Sequence, residues 1–458
     1  MLPIRKEIFR AYDIRGRAGQ DFDQEWARIL GQACGTYFRR QNLRAAVLGR
    51  DCRRSSPEYA EAVREGLLSC GLDVLDLGML PSPVFYFAAL AMKRQAGVMV
   101  TASHNPPEDN GFKIWSGQTT MCRKEIETLH QIMRSGEFSK ESGAILCRHD
   151  IVPSYLEHLS NSLELSAARP LTVVLDGANG AGGLICAELL RRLGVKTIPI
   201  NCRPDGDFPN HPPDPNVPEN LHELRERVLA EKADLGIGLD GDADRIGVLD
   251  EKGRHLSGDR LMAIMAREVL KSRPGATIMA DIKCSHLLFE DIKKYGGQAI
   301  MCQSGHSLIK RQLMDIKADM AGEISGHIIF GDRYFPFDDA IYAAGRLMEI
   351  MSGTEKPLSA MLEDWPITAI TPEIRLPCPD ELKFQVVERA IKELGNLTKS
   401  VTVDGLRLIY PDGWALIRAS NTQPLLSMRF EATTAMRLKE LRAMIEDRLP
   451  AWREREPK

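Results

Sequence analysis

Three times along the first two-thirds of this 458-residue chain, a short apolar run ends in an aspartate and a helix-period pattern follows. A glycine then stops the pattern and a second apolar run begins. Ala46-Val47-Leu48-Gly49-Arg50-Asp51 opens the first copy. Ser55-Ser56-Pro57-Glu58 predicts the cap of a helix over 59–69, and Gly71 ends it before a strand over 72–75. A run over 171–175 with Asp176, a helix over 184–193, Gly194 and a strand over 195–200 form the second copy. The third is a run over 277–280 with Asp281, a helix over 285–295, Gly296 and a strand over 298–302. Each copy continues into another apolar strand that ends in a polar loop. The residues at 97–100 lead into Thr101-Ala102-Ser103-His104, those at 232–238 into Leu239-Asp240-Gly241-Asp242, and those at 317–321 into Gly322-Glu323-Ile324-Ser325-Gly326-His327. Repetition at this scale predicts three related mixed-sheet α/β domains. Ligands in such sheets bind beyond the carboxyl ends of the strands, where all three polar loops fall.

The last ninety or so residues follow another rhythm. Residues 367–376 alternate like a strand, 381–394 read as an amphipathic helix ended by Gly395, and Asp404-Gly405 between two apolar runs signals a hairpin with a type I′ turn. Strands over 414–418 and 425–430 and a helix over 436–449 complete a C-terminal antiparallel α+β domain. The expected layout is 1–150, 151–253, 254–365 and 366–458, around a central cleft. The Pro-rich stretch 203–218 reads as a long surface loop.

Composition narrows the function classes. A net charge of −3 gives no basic field for nucleic acid or an anionic membrane. The longest apolar run, near 84–92, is too short to span a bilayer, and the N-terminus has no apolar signal region. Ten cysteines stand singly, as expected of free thiols in a reducing, cytoplasmic compartment.

The loops carry the chemistry. Pro106 and Pro107 forbid strand or helix, so Ser103 and His104 sit on a loop at a strand end. No Gly-x-Ser-x-Gly surrounds the serine, which argues against a hydrolase elbow. A phosphorylated serine would instead need a metal ion and cations nearby. Asp240-Gly241-Asp242-Ala243-Asp244-Arg245 puts three carboxylates at alternate positions with small residues between, an arrangement suited to Mg²⁺. An EF-hand is excluded because Arg245 stands where that loop needs glycine. Glu323 and Ser325 suit adjacent sugar hydroxyls. Arg418-Ala419-Ser420-Asn421-Thr422-Gln423-Pro424 offers a guanidinium and several hydrogen-bond donors to a phosphoryl group. Arg10-Ala11-Tyr12-Asp13-Ile14-Arg15-Gly16 reads as an anion-contacting loop. Lys113 returns toward the serine loop as a candidate proton carrier, and Lys283 and His306 stand at strand ends of the third copy. The glycine-rich 176–183 does not match a dinucleotide fingerprint or P-loop and reads as a tight strand-to-helix turn.

Taken in this order, the loops 101–106, 240–245, 322–327 and 418–424 resemble those of the α-D-phosphohexomutases, in particular the bacterial phosphomannomutase/phosphoglucomutase branch. The resemblance implies that Ser103 is a phosphoserine with His104 beside it. It implies that Asp240, Asp242 and Asp244 hold Mg²⁺ together with the serine phosphate. Glu323 and Ser325 would read the sugar O3 and O4, and Arg418, Ser420, Asn421 and Thr422 would clamp the remote phosphate. Tyr12, Arg15, Lys283, His306 and His327 would line the cleft. Lys113 and Arg245 would lie near the phosphoserine, Lys113 as general acid/base. The implied reaction interconverts hexose 1- and 6-phosphates of mannose or glucose through a hexose 1,6-bisphosphate, in a monomer or weak homodimer. Ala102 departs from the glycine often found there. Ile324, Ala419 and Asn421 depart from the phosphoglucosamine mutase pattern, which ranks that activity lower. A metal-dependent sugar phosphatase and a non-catalytic sugar-phosphate sensor are the competing readings.

Overall fold

The structure, a computed structural model, describes residues 2–146, 150–166, 169–421 and 423–448. Its first three sheets share one topology. In the second, Lys196–Ile200, Thr172–Asp176 and Leu235–Leu239 run parallel in that order, and Ile246–Asp250 joins antiparallel. In the third, Gln298–Cys302, Thr277–Asp281 and Met320–Gly322 run parallel with Ile328–Phe330 antiparallel. The first repeats the arrangement with Asp73–Met79, Ala45–Arg50, Ala96–Val100 and antiparallel Asp109–Ser116. Ile14–Arg17, Thr119–Thr120 and Ile145–Leu146 extend that sheet to seven strands. In every copy the polar loop is the turn between the third strand and its antiparallel neighbour. The third strands Ala96–Val100 and Leu235–Leu239 are buried at every position, so both faces are covered and only the loop beyond can carry polar groups.

The helix expected over 59–69 departs from expectation at its start. It begins at Ser56, and Ser55 makes no capping bond because its backbone is already helical. The two serines tie the helix to the sheet instead: Ser56 Oγ donates to Asp51 Oδ1 at 2.5 Å, and Asn110 Nδ2 donates to both hydroxyls. The 203–218 stretch is more than a surface loop. Phe208, Pro213 and Pro215 are buried, and Asn216 Nδ2 donates to Ser325 O at 2.7 Å. The segment is a wedge between the first three units.

The fourth sheet is wholly antiparallel, with Leu425–Ala432 and Gly413–Ala419 at its centre. The strand expected over 367–376 is split into Ala369–Ile370 and Ile374–Pro377, both paired to Leu425–Ala432, because Pro372 between them has no N–H to give the ladder. The predicted two-residue turn is also longer. Val401 faces Arg407, and of the turn pair only Gly405 takes a positive φ, +97°. Asp404 is occupied elsewhere, accepting from Arg418 and from the Ser304 N–H. The last helix is Ala435–Arg448, so Leu449 lies outside the described residues.

One apolar core runs through the first three units, joining side chains such as Phe87, Tyr155, Leu189, Ile237, Met265 and Leu347. The fourth unit has its own core around Leu394, Leu408, Ile417 and Phe430. It docks through buried polar contacts. Arg407 donates to Ile282 O at 2.5 Å and Cys284 O at 2.7 Å while its guanidinium lies 3.8 Å from the Trp414 ring centroid. Ser285 Oγ donates to Glu431 Oε1 at 2.9 Å. On the other side, Arg10 of the first unit reaches Asp380 of the fourth at 3.7 Å. Among the described residues no helix is long and apolar enough to cross a membrane.

Candidate active site

The four polar loops meet at a single cleft of about 1590 Å³, lined by Tyr12, Arg15, His104, Arg245, Lys283, His306, Glu323, Ser325, His327, Arg418, Ser420 and Asn421, among others. Ser103, Lys113 and the three aspartates form a buried floor next to it, each 1% exposed or less. Thr422 lies outside the described residues.

Ser103 adopts a left-handed φ of +54°, uncommon for a residue with a Cβ, which turns its hydroxyl away from the strand it follows. Oγ donates to Asp240 Oδ2 at 2.6 Å and lies 3.2 Å from His104 Nδ1. The serine and aspartate loops touch along their backbones: a Cβ on Gly241 would stand 2.4 Å from Ser103 O, so only glycine permits this approach. Arg15 braces the same loop, donating to Asp13 at 2.5 Å, Asn105 Oδ1 at 3.0 Å and Ala102 O at 3.3 Å.

The aspartates are short of positive charge. Asp240 Oδ1 accepts from the Asp244 and Arg245 amides at 3.0 and 3.1 Å, yet burial and its two acidic neighbours push its carboxyl well above the usual range. Asp242 Oδ2 accepts from Ser82 Oγ at 2.5 Å and from Lys113 Nζ at 2.6 Å; Lys113 also pairs with Asp244. Burial would neutralise this lysine, but Asp242 and Asp244 outweigh it and hold the ammonium well above its ordinary pKa. Lys113 is therefore a fixed cation here, with no free amine to act as a base.

On the third unit, His327 Nδ1 lies 2.8 Å from Glu323 Oε2 and its Nε2 lies 3.3 Å from Asp244 Oδ1. Burial and Arg245 oppose protonation, but the two carboxylates prevail and raise its pKa to about 9. Glu323 also accepts the Gly305 N–H at 2.7 Å and is held well below the carboxylate range despite its burial. Ser325 Oγ stands 3.2 Å from His327 Nδ1. His306, stacked on His327 and edge-on to Tyr12, has its pKa lowered to about 4 by burial and by Lys310. Lys283 sits 3.5 Å from Asp281 and is raised above its ordinary value: Asp281, Glu373 and Glu323 outweigh its burial. Across the cleft, Arg418 is gripped by Asp404 at 3.0 Å, and Lys383 Nζ donates to Ser420 O at 2.5 Å and Gln423 O at 3.0 Å, which shapes the loop.

Several supporting residues escaped the sequence reading. Ser82 opens the helix Ser82–Ala91 beside a proline, a capping signal that hid its hydrogen bond to Asp242. Lys310, with Nζ 2.8 Å from Asp338 and 3.2 Å from His306 Nδ1, follows His306 by one helical turn, and that spacing is the only signal for it. Arg53 lies beneath the serine loop.

A buried serine against an aspartate trio, with cationic groups on the facing walls, is a site for phosphoryl transfer. Models of phosphoglucomutase/phosphomannomutase domains match in sequence: alpha/beta/alpha domain I over residues 6–140, domain II over 153–253, domain III over 257–367 and the C-terminal domain over 373–448. The chain is 41% identical over 448 residues to a phosphomannomutase/phosphoglucomutase of Pseudomonas aeruginosa, covering 97% of this chain and 96% of that protein. It is 40% identical to a phosphoglucomutase of Neisseria gonorrhoeae over 438 residues, 95% of each. A crystal structure of a phosphoglucomutase/phosphomannomutase family protein from Burkholderia thailandensis superposes with a TM-score of 0.92 at 37% identity, covering 99% of this chain and 98% of that one. The chain belongs to the phosphoglucomutase/phosphomannomutase family. It is an intramolecular phosphotransferase of hexose phosphates.

Proposed function

We propose that this chain interconverts the 1- and 6-phosphates of glucose and mannose through a phosphoserine at Ser103. The observation that carries the reading is Ser103 Oγ held 2.6 Å from Asp240 on the floor of a cleft whose far wall is Arg418, Ser420 and Asn421. In the first half-reaction the phosphoryl group leaves Ser103 Oγ for the free hydroxyl of a hexose monophosphate. The P–O bond to serine breaks, one to the sugar forms, and the product is a hexose 1,6-bisphosphate. The sugar then turns over within the cleft and its other phosphoryl group returns to Ser103 Oγ. In each half-reaction the attacking hydroxyl gives its proton to His104, which burial keeps neutral 3.2 Å from Ser103 Oγ, and His104 returns it to the oxygen that leaves. Arg418 and the 418–423 loop hold whichever phosphate is remote, while Glu323 and Ser325 hold O3 and O4, which lie alike in both orientations. Nothing in this recognition reads C2, so glucose and mannose both fit. Lys113, Arg15 and Arg245 face the charge spread over the moving phosphoryl group.

The carboxylates fit a divalent cation. Asp240, Asp242 and Asp244 offer oxygens within 4.8 Å of one another; Asp242 Oδ1 is buried with no hydrogen-bond partner among the described residues, and Asp244 Oδ1 meets only His327 Nε2, at 3.3 Å. Mg²⁺ bound there would polarise the phosphoryl oxygens on the serine. The free state of all nine described cysteines supports a cytoplasmic setting. Because one chain supplies every wall of the cleft, a monomer or weak homodimer suffices. The four sheets support unit boundaries near 150, 253 and 365.

The test is a mutase assay with the 1-phosphates of glucose, mannose and glucosamine, with Mg²⁺ and a trace of glucose 1,6-bisphosphate. Turnover of the first two with little inorganic phosphate released is the expected result. Steady phosphate release would favour a phosphatase, and preference for glucosamine 1-phosphate would overturn the substrate assignment.

A further inference from the structure

Arg53 does not line the cleft, yet it organises the floor. Its side chain is completely buried, and the guanidinium spends four donor contacts on backbone carbonyls of a single loop. Nη2 donates to Ser103 O at 2.9 Å and Asn105 O at 2.6 Å; Nη1 donates to Asp109 O at 3.0 Å and to Pro106 O. Nε and the backbone N–H of Arg53 both reach Asp51, at 3.2 and 3.0 Å. The ring of Phe208, brought by the 203–218 wedge of the second unit, covers the guanidinium with its centroid 5.0 Å away.

We propose that Arg53 is a positioning residue for phosphoryl transfer: by gathering four carbonyls onto one planar fork, it fixes where Ser103 Oγ stands against the aspartate loop. Four carbonyl oxygens turned toward one point repel each other and cannot remain buried without donors, so the loop has this shape only while the guanidinium is present. Ser103 itself sits in the left-handed region, a conformation that persists only where its surroundings impose it. The carbonyl that Arg53 holds at Ser103 is also the atom against which Gly241 packs, so the guanidinium sets the spacing between serine and aspartate loops. Two transfers must use the same oxygen, before and after the sugar reorients, and a misplacement of about 1 Å costs on the order of 100-fold in rate. Lysine cannot substitute, because a single ammonium has three donors and no fork. The contacts to the sugar and the remote phosphate, by contrast, are those of Glu323, Ser325, Arg418 and Ser420 on the third and fourth units, which Arg53 does not touch.

This inference rests on the phosphoserine reading, and the experiment separates the two. Wild type, Arg53→Lys and Asp51→Asn are compared for thermal midpoint, for kcat and KM with glucose 1-phosphate, and for the rate at which Ser103 gains a phosphoryl group from glucose 1,6-bisphosphate, read by intact mass. Arg53→Lys is expected to lower kcat and phosphoryl uptake together by about 100-fold, with KM within about threefold of wild type. If Arg53→Lys does not fold, Asp51→Asn decides. That variant keeps the guanidinium and removes the carboxylate that holds it, and should lower kcat about tenfold at unchanged KM. Folded Arg53→Lys with wild-type kcat, or a variant whose loss lies in KM, overturns the inference while leaving the phosphoserine intact. A wild-type chain that never gains the phosphoryl group overturns both.

Discussion

Replacing Lys113 with methionine removes the ammonium that two buried carboxylates share. Asp242 lies 2.6 Å from Nζ, Asp244 is closer, and all three side chains are 1% exposed or less. Breaking a buried pair from one side costs about 3–5 kcal/mol, because a charge is left without compensation. For a cooperative unit of this size each kcal/mol moves the midpoint by about 2–4 °C, so Lys113→Met in chelator should melt roughly 6–20 °C below wild type. The pKa of Lys113 is raised on folding, so its contribution is complete below the ordinary lysine value and fades only as pH climbs through the folded one. A scan at neutral pH therefore reads all of it. Added Mg²⁺ supplies the missing charge: at a hundred times its dissociation constant it returns about 2.7 kcal/mol, and the variant should respond at lower metal concentration than wild type. Turnover should fall as well, by about 10²–10³, because a fixed charge facing the moving phosphoryl group is lost. Differential scanning calorimetry across a Mg²⁺ titration, with and without the substitution, gives the comparison. A variant melting within about 2 °C of wild type in chelator, or one indifferent to metal, would refute the charge argument.

Other outcomes follow from the same geometry. Ser103→Ala should still bind hexose phosphate but never acquire the mass of a phosphoryl group, with turnover down on the order of 10⁴-fold or more; a wild-type rate would remove Ser103 as the nucleophile. Asp339, buried beneath Tyr155 and Tyr334, has its pKa raised to about 6, so the folded chain binds a proton there that the unfolded chain has lost. Stability from this group therefore falls as pH rises from about 4 to 6, by up to about 3 kcal/mol. Asp339→Asn should gain on wild type over that interval in paired melting curves, and an offset independent of pH would contradict the assignment. Arg407→Ala removes the donor to Ile282 and Cys284, so KM should rise about tenfold with kcat little changed and proteolysis near the exposed Ile367 should quicken. Unaltered KM and cleavage would show that the fourth unit docks by other means.

What the sequence revealed and what it hid divide along contact distance. The three polar loops were legible because each is a local event: an apolar strand, a glycine or proline stop, and polar groups at close spacing. Lys113 was legible as a lysine returning toward the serine loop, but not the two carboxylates that fix its charge, since Asp242 and Asp244 lie 129 and 131 residues further on. The split at Pro372 follows from its missing N–H, yet alternation across 367–376 masked it. Asp404 read as a turn residue because turns favour Asp-Gly, whereas its carboxylate belongs to Arg418. Arg53, Lys310 and Ser82 were missed because the contacts that matter to the site reach partners 28 or more residues away in sequence (Pro106, Asp338 and Asp242), whereas the nearer contacts to Asp51 and His306 do not reveal those partners. Tertiary contacts of that range are set by the whole fold, and no window of sequence contains both ends.

The pair between Arg10 and Asp380 spans the opening where the first unit faces the fourth, and both side chains are partly solvated, at 25% and 41% exposure. Such a contact contributes no more than about 1 kcal/mol and weakens with salt. A latch this weak lets the half-finished sugar be retained for only as long as reorientation is faster than opening. Processivity, the fraction of bisphosphate converted before escape, should therefore decline as ionic strength rises, even where the chemical step is untouched.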